Sequence, residues 1–327
     1  MLDLDGVVYR GREAIDGVPS VLGRAKSAGM TLAFVTNNAA RPAASVAEHL
    51  RDLGVPASEA DVVTSAQAAA REVAKCVKAG APVLVVGGEG LEVALRERGL
   101  VPVASLDDHP QAVVQGFHPD VGWRQLAQAA YGLATGIPWV ASNLDLSIPT
   151  AAGIAPGNGT LVNAVAAAVN RRPDVVAGKP FRPLFDETVL RVGARKPLIV
   201  GDRLDTDVEG AVTVGVDSLL VMTGVTDLGA LCAAKAAQRP SYVSWRLDGL
   251  LKDHPEPQQD GTDWRVGNWT ARAEDHALTL VDTGKDRDDG LRAVVAAAWE
   301  WYDGHPDAES GALDLATAAD AVSNGAD

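Results

Sequence analysis

The chain has 327 residues, 47% of them hydrophobic and 22% charged, which is the composition of a folded globular protein and excludes disordered or collagen-like chains. At this length we expect two or three domains. The formal net charge of −14 disfavours nucleic acids and anionic membranes as partners, because the surface would repel both.

The apolar runs are short and the cysteines are few. No run is long enough to span a bilayer, and the first residues, MLDLDGVVYRG, carry two acids where a secretory signal carries lysines. We therefore expect a cytoplasmic protein without membrane insertion. Cys76 and Cys232 lie far apart in the chain with no histidine partner nearby, so we expect two buried apolar residues rather than a disulfide or zinc ligands.

Apolar runs that each end in a polar residue order the first 250 residues. They span residues 1–2, 31–35, 197–200 and 218–222. Between them, apolar residues spaced three and four apart predict helices, for example at 18–28 and 42–53. This alternation indicates an α/β fold with a mostly parallel sheet, in which ligands bind beyond the carboxyl ends of the strands.

A second α/β pattern interrupts the first between residues 67 and 173. It alternates apolar runs such as APVLVVGG with helical segments such as LEVALRERG, and it ends in the long helical segment GTLVNAVAAAVNRR. We expect this stretch to be an inserted domain, which leaves residues 1–66 and 174–252 as the core.

The pattern changes again after residue 252. Residues 253–263 contain two prolines and no apolar periodicity, which predicts a linker. Residues 258–327 hold 15 acidic against 5 basic residues, so they form a compositional unit of their own. In this unit we expect strands at 264–273 and 277–281, and helices at about 288–302 and 313–322.

Four polar strings lie at the ends of the apolar runs or between them. The first, DLDGVVYRG at 3–11, directs Asp3 and Asp5 to the same side of a strand, and Gly6 lets the chain turn beside them. Alone, this string is equally typical of a solvated turn. The others are VTNN at 35–38, with a hydroxyl and an amide, AGKP at 177–180, with a lysine, and GDRLDTD at 201–207, with several carboxylates.

In this order the four strings resemble the motifs of the haloacid dehalogenase superfamily of phosphohydrolases, over residues 1 to about 250. The resemblance implies a Rossmann-like core with a parallel sheet and an inserted α/β cap domain. It implies a magnesium ion held by Asp202, by a carboxylate oxygen of Asp3 and by the backbone carbonyl of Asp5. The remaining implied roles are Asp3 as nucleophile, Asp5 as general acid and base, Thr36, Asn37 and Lys179 as phosphate-binding residues, and Asp207 as a supporting acid.

The chemistry of these residue types agrees with the resemblance. A phosphate monoester dianion repels a carboxylate, so attack by Asp3 needs a divalent cation and a lysine to offset the charge. The oxygen-only set suits Mg²⁺, which takes few carboxylates, several waters and a substrate phosphate. Asp5 can protonate the leaving alkoxide and then activate water. In this superfamily an acid at that position points to a phosphatase or a mutase.

The long segment between Thr36 and Lys179 places the cap between the second and third motifs. With TNN and PGNGTLVNAV, this placement resembles the nitrophenylphosphatase-like branch, which includes phosphoglycolate, glycerol-3-phosphate and pyridoxal-phosphate phosphatases. The segment SNLDLSIPT at 142–150 matches the cap loop of that branch. Asn143 and Asp145 either touch substrate or cap the following turn. Ile148 and Pro149 are expected to form a narrow apolar wall.

We therefore expect a magnesium-dependent phosphomonoesterase that acts on a small phosphorylated metabolite. Glycerol 3-phosphate is the preferred substrate, with 2-phosphoglycolate or pyridoxal phosphate as alternatives. A non-catalytic binding or regulatory module on a phosphatase scaffold is an alternative of another class. The position of the cap disfavours a mutase. The sequence does not decide between a monomer and a homo-oligomer.

The acidic C-terminal region is similar, in its order of strands and helix, to part of a GNAT-type acyltransferase fold, a small α+β unit. Its tryptophans are expected to form a core. A coenzyme A site needs a glycine-rich basic turn before the helix, whereas DTGKDRDDG at 282–290 holds four aspartates. We therefore expect no acyltransferase activity.

One departure from the family concerns the start of the chain. Several apolar residues precede the nucleophile in the family, whereas only Met1 and Leu2 do so here. Either the first strand is unusually short or the natural chain begins upstream of Met1.

Overall fold

The structure is a computed structural model that describes residues 1–150 and 152–323. The strands are β1 (Tyr9–Arg10), β2 (Glu13–Ala14), β3 (Phe34–Thr36), β4 (Val62–Thr64), β5 (Pro82–Val86), β6 (Val101–Val103), β7 (Ala112–Gln115), β8 (Trp139–Ala141), β9 (Ser147–Thr150), β10 (Gly153–Pro156), β11 (Val175–Val176), β12 (Leu198–Gly201), β13 (Asp217–Val221), β14 (Tyr242–Ser244), β15 (Gln258–Asp260), β16 (Asp263–Val266), β17 (Trp269–Glu274) and β18 (Ala277–Asp282). The helices are α1 (Val18–Ser27), α2 (Ala43–Asp52), α3 (Ser65–Cys76), α4 (Glu89–Glu97), α5 (Trp123–Leu133), α6 (Asn158–Val169), α7 (Arg182–Val192), α8 (Glu209–Val214), α9 (Leu228–Cys232), α10 (Arg287–Gly304) and α11 (Ala316–Ser323). The predicted α/β fold with parallel strands is confirmed.

The chain divides into two compact units. The first comprises Met1 and residues 31–197, and the second comprises residues 2–30 and the chain from Leu198 onward. The predicted boundary between core and cap, at residue 66, falls inside the first unit, at the start of α3. Helix α3 belongs to this unit because it packs against both α4 and α7.

The first unit contains a five-stranded parallel sheet in the order β11-β8-β7-β5-β6. Successive side chains of a strand point to opposite faces, and β5 shows this directly. Val83 packs with α3 and α4 in one apolar cluster, whereas Leu84 packs with α5 and α6 in another. Helices therefore cover both faces of the sheet, which explains why its strands are apolar runs without alternation.

Two strand pairs complete the first unit. The parallel pair β3–β4 aligns Phe34 with Val62 and Thr36 with Thr64. Thr64 precedes α3 and caps it with a capping box, in which the Thr64 hydroxyl and the Gln67 side chain each accept a hydrogen bond from the other residue's backbone N–H. The other pair is an antiparallel hairpin of β9 and β10, in which Ile148 pairs with Ala155.

The second unit contains a parallel sheet in the order β12-β13-β14 and an antiparallel sheet in the order β15-β16-β17-β18. Leu2 extends the parallel sheet by a bridge to Val200, so the predicted first strand is reduced to a single bridge. Helix α10 shares one apolar cluster with the parallel sheet, which includes Leu220, Val243 and Val295. The region after residue 258 therefore completes the core of this unit.

Three predictions are corrected. The predicted linker contains β15, an exposed polar strand whose pairing with β16 satisfies its backbone without any apolar pattern. The single strand predicted at 264–273 is broken by a turn at Gly267, where φ is 57°. Cys76 is exposed at the end of α3, whereas Cys232 is buried as expected and burial raises the pKa of its thiol to about 12.

No helix in the described ranges combines the length and the apolar character needed to cross a membrane.

Candidate active site

Three carboxylates form a cluster in the second unit. Asp3, Asp202 and Asp207 each offer an oxygen, and these oxygens lie within 4.8 Å of one another. Asp202 and Asp207 are buried and Asp3 is half-buried. We call these three residues the carboxylate cluster. The structure thus brings together the predicted nucleophile, the predicted metal ligand and the predicted supporting acid.

The strand ends of the parallel sheet place the cluster. Asp3 follows the bridge of Leu2 to Val200, and its backbone N–H donates to the Val200 carbonyl at 2.8 Å. Asp202 follows β12 directly, and Asp207 lies in the π-helical turn Leu204–Val208. Parallel strands end at the same edge of a sheet, which is why carboxylates separated by about 200 residues in the chain meet here.

Glycines leave room for these carboxylates. A Cβ atom on Gly224 would lie 1.9 Å from Asp202 Oδ2, and a Cβ on Gly201 would lie 2.2 Å from the Asp207 side chain. Gly6 is restricted in the same way and also has a φ of 85°, a conformation that favours glycine. The Val225 backbone N–H donates to Asp202 Oδ2 at 2.7 Å, which fixes the orientation of that carboxylate.

Asp5 lies outside the carboxylate cluster and is exposed. Desolvation raises the pKa of its carboxyl above the ordinary value, although hydrogen bonds from the Gly6 and Gly11 backbone and the charge of Arg10 oppose the shift. A pKa above the ordinary value moves the carboxyl toward the protonated form that a general acid needs. Its predicted metal contact is through the backbone carbonyl, which does not require its side chain to join the cluster.

The chemistry of the carboxylate cluster fits a hard divalent cation. Its donors are all oxygens, and like charges held this close in a buried place repel one another unless a cation lies between them. Mg²⁺ takes oxygen ligands and accepts one or two carboxylates together with substrate phosphate.

The remaining predicted site residues belong to the first unit. Thr36 is buried at the end of β3, and its hydroxyl accepts a hydrogen bond from the Asn38 backbone N–H at 3.1 Å. Lys179 is buried, and its backbone N–H donates to Asn37 Oδ1 at 2.8 Å. The predicted phosphate-binding residues therefore meet at the end of a parallel strand.

Asn37 connects these residues to the cap segment at 142–145. Its Nδ2 donates to both carboxylate oxygens of Asp145 at 3.2 Å and to the Lys179 carbonyl at 3.1 Å. Asn143 is buried, and its Oδ1 accepts from the Asp145 backbone N–H at 3.1 Å. This is the second of the two roles foreseen for Asn143, in which the side chain caps the turn that follows it.

Ile148 is half-buried in β9, within the hairpin that the sequence pattern did not reveal. The opposite strand carries Ile154, which is 77% exposed. The side chain of Pro149 lies outside the described part of the chain. The contribution of Ile148 and Pro149 to a pocket wall stays a prediction.

Sequence reasoning missed two residues that support this arrangement. The Ser65 hydroxyl donates to the Asn37 carbonyl at 2.6 Å, and buried Asn158 donates through Nδ2 to the Asn143 carbonyl at 2.7 Å. Asn158 lies in the string PGNGTLVNAV, so the motif itself was visible although its role was not. Ser65 begins α3 and carries no signal that would distinguish it from other serines.

Comparison with known proteins identifies related sequences. A family of haloacid dehalogenase-like hydrolases matches residues 1–101, and an HAD-hydrolase-like family matches residues 176–250. A D-glycerol 3-phosphate phosphatase from Mycobacterium tuberculosis is 42% identical over 309 residues, which are 92% of this chain and 85% of the relative. An acid sugar phosphatase from Staphylococcus aureus is 35% identical over 230 residues, 70% of this chain and 87% of that protein.

Solved structures agree with these relationships. The crystal structure of a glycerol phosphate phosphatase from Mycobacterium tuberculosis in complex with magnesium matches with a TM-score of 0.83 and 41% identity, covering 92% of this chain and 89% of that chain. A p-nitrophenyl phosphatase from Archaeoglobus fulgidus matches with a TM-score of 0.71 and 30% identity, covering 77% of this chain and 97% of that one. With the motifs, the α/β fold and these identities taken together, the chain belongs to the haloacid dehalogenase-like hydrolase family.

Proposed function

We propose that the protein is a magnesium-dependent phosphomonoesterase whose preferred substrate is glycerol 3-phosphate. The observation that carries the reaction class is the carboxylate cluster, which unites a candidate nucleophile with oxygen ligands for a divalent cation. The substrate is supported by the 42% identity to a D-glycerol 3-phosphate phosphatase over most of both chains.

The proposed reaction divides one displacement into two steps. A carboxylate oxygen of Asp3 attacks phosphorus, which forms an aspartyl-phosphate while the P–O bond to the alcohol breaks. Asp5 gives its proton to the leaving alkoxide. As a carboxylate, Asp5 then takes a proton from the water that attacks phosphorus, which releases inorganic phosphate and restores Asp3.

The other site residues bind and orient the phosphate in this proposal. Thr36 donates its hydroxyl hydrogen to a phosphate oxygen, and Lys179 offsets the negative charge through its ammonium group. Asn37 contributes through its backbone N–H, because both hydrogens of its side-chain amide are directed to protein oxygens. Asp3, Asp202 and the Asp5 carbonyl would hold Mg²⁺, which supplies charge neutralisation for the phosphate when bound, and Asp207 would act as the supporting acid of the carboxylate cluster.

A screen of phosphorylated metabolites, with phosphate release as the readout, tests the proposed function. We expect glycerol 3-phosphate to give the highest kcat/KM and p-nitrophenyl phosphate to be hydrolysed as well. Preference for 2-phosphoglycolate or pyridoxal phosphate would replace the substrate and keep the reaction class. Release of no phosphate from any ester would favour a binding or regulatory module instead.

The hairpin of β9 and β10 provides a test of substrate selection. Ile148 and Ile154 lie on opposite faces of the hairpin, because they belong to neighbouring cross-strand pairs. We expect Ile148→Ala to change the ranking of glycerol 3-phosphate against 2-phosphoglycolate while p-nitrophenyl phosphate is hydrolysed at nearly the wild-type rate, since the chemistry does not involve this residue. Ile154→Ala is the matched control. An unchanged ranking in the Ile148→Ala protein would remove this residue from the pocket.

We also propose the three-part organisation of the chain: a core of residues 1–66 and 174–252, a cap of residues 67–173 and a GNAT-like C-terminal region from residue 258. The four-stranded antiparallel sheet followed by α10 supports the last part. The Archaeoglobus relative, which is covered almost fully, leaves about a quarter of this chain unmatched, a share similar to that of the C-terminal region.

The start of α10 is occupied by the protein's own side chains. Asp286 accepts a hydrogen bond from the Asp288 backbone N–H at 2.9 Å. Buried Asp288 accepts from the Trp245 backbone N–H and pairs with Lys252, both at 2.9 Å. Burial tends to raise the pKa of Asp288, but these hydrogen bonds outweigh it and hold the pKa below the ordinary value. The carboxylate is therefore charged at neutral pH.

The glycines before and within the first turn of α10 are covered as well. A Cβ on Gly284 or on Gly290 would lie 2.9 or 2.8 Å from the indole of Trp269, so this ring covers both glycines. A coenzyme A pyrophosphate would meet the indole and the carboxylates of Asp286 and Asp288.

We therefore expect acetyl-CoA to show no binding in a calorimetric titration of the full chain at concentrations up to about 1 mM, where a Kd in that range would still release measurable heat. The protein should also transfer no acetyl group to amines. Saturable binding, or any acetylated product, would show that the region has an acyltransferase function of its own.

A further inference from the structure

The side-chain amide of Asn37 joins three segments of the first unit. These are the end of β3, the loop at 177–180 and the cap segment at 142–145. Its Oδ1 accepts from the Lys179 N–H at 2.8 Å, and its Nδ2 donates to the Lys179 carbonyl at 3.1 Å. The amide therefore hydrogen-bonds to both the backbone N–H and the backbone carbonyl of Lys179, as a residue of a neighbouring strand would.

The orientation of this amide follows from its partners. A backbone N–H needs an acceptor, so Oδ1 must face Lys179 N, and Nδ2 is then directed at Lys179 O and at Asp145. With Nδ2 between these acceptors, its two hydrogens serve the carbonyl and the carboxylate. The bond to Asp145 is assisted by charge, which makes it stronger than a neutral amide pair.

The surroundings hold Asn37 in this position. Its own carbonyl accepts from the Ser65 hydroxyl at 2.6 Å and from Asn143 Nδ2 at 2.8 Å. Gly178 lies against the amide, and a Cβ there would be 2.6 Å from Asn37 Oδ1. Only glycine at 178 therefore allows the amide to reach the Lys179 main chain.

We propose that Asn37 and Asp145 are a pair of positioning residues that set the main chain of Lys179, and that neither side chain touches the organic part of the substrate. The proposal rests on the proposed function, in which the Lys179 ammonium binds phosphate. Asp145 acts through Asn37, and Asn37 acts on Lys179. This assigns Asp145 a role other than the two that the sequence suggests, which are contact with the substrate and capping of the following turn.

A set of four variants tests the pair: Asp145→Asn, Asp145→Ala, Asn37→Asp and the double variant Asn37→Asp/Asp145→Asn. An asparagine at 145 keeps one acceptor for Asn37 Nδ2, whereas alanine keeps none, so Asp145→Asn should retain more activity. Asn37→Asp turns a carboxylate toward both the Lys179 carbonyl and Asp145, so it should lose most, up to about 100-fold in kcat/KM. Asn163→Ala, a surface change in α6, is the matched control for general effects on the cap.

The readouts separate positioning from substrate contact. A displaced Lys179 weakens the binding of every phosphate group equally. The kcat/KM should therefore fall by the same factor for glycerol 3-phosphate and for p-nitrophenyl phosphate. Inhibition by inorganic phosphate should weaken by a similar factor. The double variant removes the facing carboxylates and should recover part of the loss of Asn37→Asp. Thermal unfolding of each variant shows whether it is folded.

Several outcomes would contradict the proposal that Asn37 and Asp145 position Lys179. A loss confined to glycerol 3-phosphate would mean that Asp145 contacts the substrate alcohol. Additive losses in the double variant would mean that Asn37 and Asp145 act independently. If the wild-type protein hydrolysed no phosphate ester, the proposed function would fail, and the pair would then be judged by calorimetry of inorganic phosphate, where unchanged affinity in the Asn37→Asp protein contradicts it.

Discussion

An Asp3→Asn protein should fold normally and lose at least about 10⁴-fold of its phosphatase turnover, because the substitution keeps the shape of the side chain and removes the attacking oxygen charge. The fold should persist because Asp3 is held by its backbone N–H bond to Val200, which asparagine also makes. Steady-state phosphate release from p-nitrophenyl phosphate measures the loss, and mass spectrometry verifies that the introduced asparagine has not deamidated.

Asp205→Asn is the matched control for Asp3→Asn. Asp205 is an exposed carboxylate of the same motif string as Asp202, and it pairs with Arg203 at 2.7 Å instead of joining the carboxylate cluster. Surface ion pairs of this kind contribute little to stability, so we expect the Asp205→Asn protein to have near-wild-type activity. Activity of a verified Asp3→Asn protein within tenfold of wild type would rule out Asp3 as the nucleophile.

Removal of divalent cations should abolish activity, and Mg²⁺ should restore it. The three carboxylates repel both one another and the phosphate dianion, so binding and attack depend on a cation to offset the charge. Ca²⁺ should bind without supporting turnover, because its larger and looser coordination misplaces phosphorus relative to Asp3. Activity after dialysis against chelator, with Mg²⁺ or Ca²⁺ added back, measures the effect.

Calorimetry of Mg²⁺ binding gives a second readout that does not depend on turnover. Asp202→Asn removes one charge from the carboxylate cluster and should weaken Mg²⁺ binding, whereas Asp205→Asn should leave the Kd unchanged. Full activity in exhaustively chelated protein, or equal Mg²⁺ affinity in the wild-type and Asp202→Asn proteins, would mean that the carboxylates have a structural role.

The carboxylate cluster could be predicted from sequence because parallel topology fixes where strands end. Once residues 197–200 and 218–222 are recognised as strands, Asp202 must lie at the edge where Asp3 emerges. The same logic placed Thr36 at the end of β3. In each case the apolar run marks the strand, and the first polar residue after it marks the site.

Contacts made by loops could not be predicted in the same way. The link from Asn37 to Asp145 joins segments more than 100 residues apart, and no periodicity encodes which amide meets which carboxylate. Strand β15 has no sequence signal because exposed edge strands carry no apolar pattern, and the apolar residues of the β9–β10 hairpin are equally typical of a pocket wall. Local sequence rules predict the contact of Asn143 in part, because an Asx turn is one of the two roles expected for this residue.

The two units have different consequences for synthesis of the protein. Apart from Met1, the first is a continuous stretch, 31–197, and can fold as soon as it has left the ribosome. In the second unit, residues 2–30 pack with residues that are synthesised much later. Leu2 forms its bridge with Val200, and the apolar core of the unit includes side chains of α10. At roughly 5–20 residues per second, Asp3 waits on the order of 10 seconds or more before its strand finds a neighbour. All three residues of the carboxylate cluster have therefore been made once synthesis reaches Asp207, but the apolar core of their unit is completed only when α10 has been made.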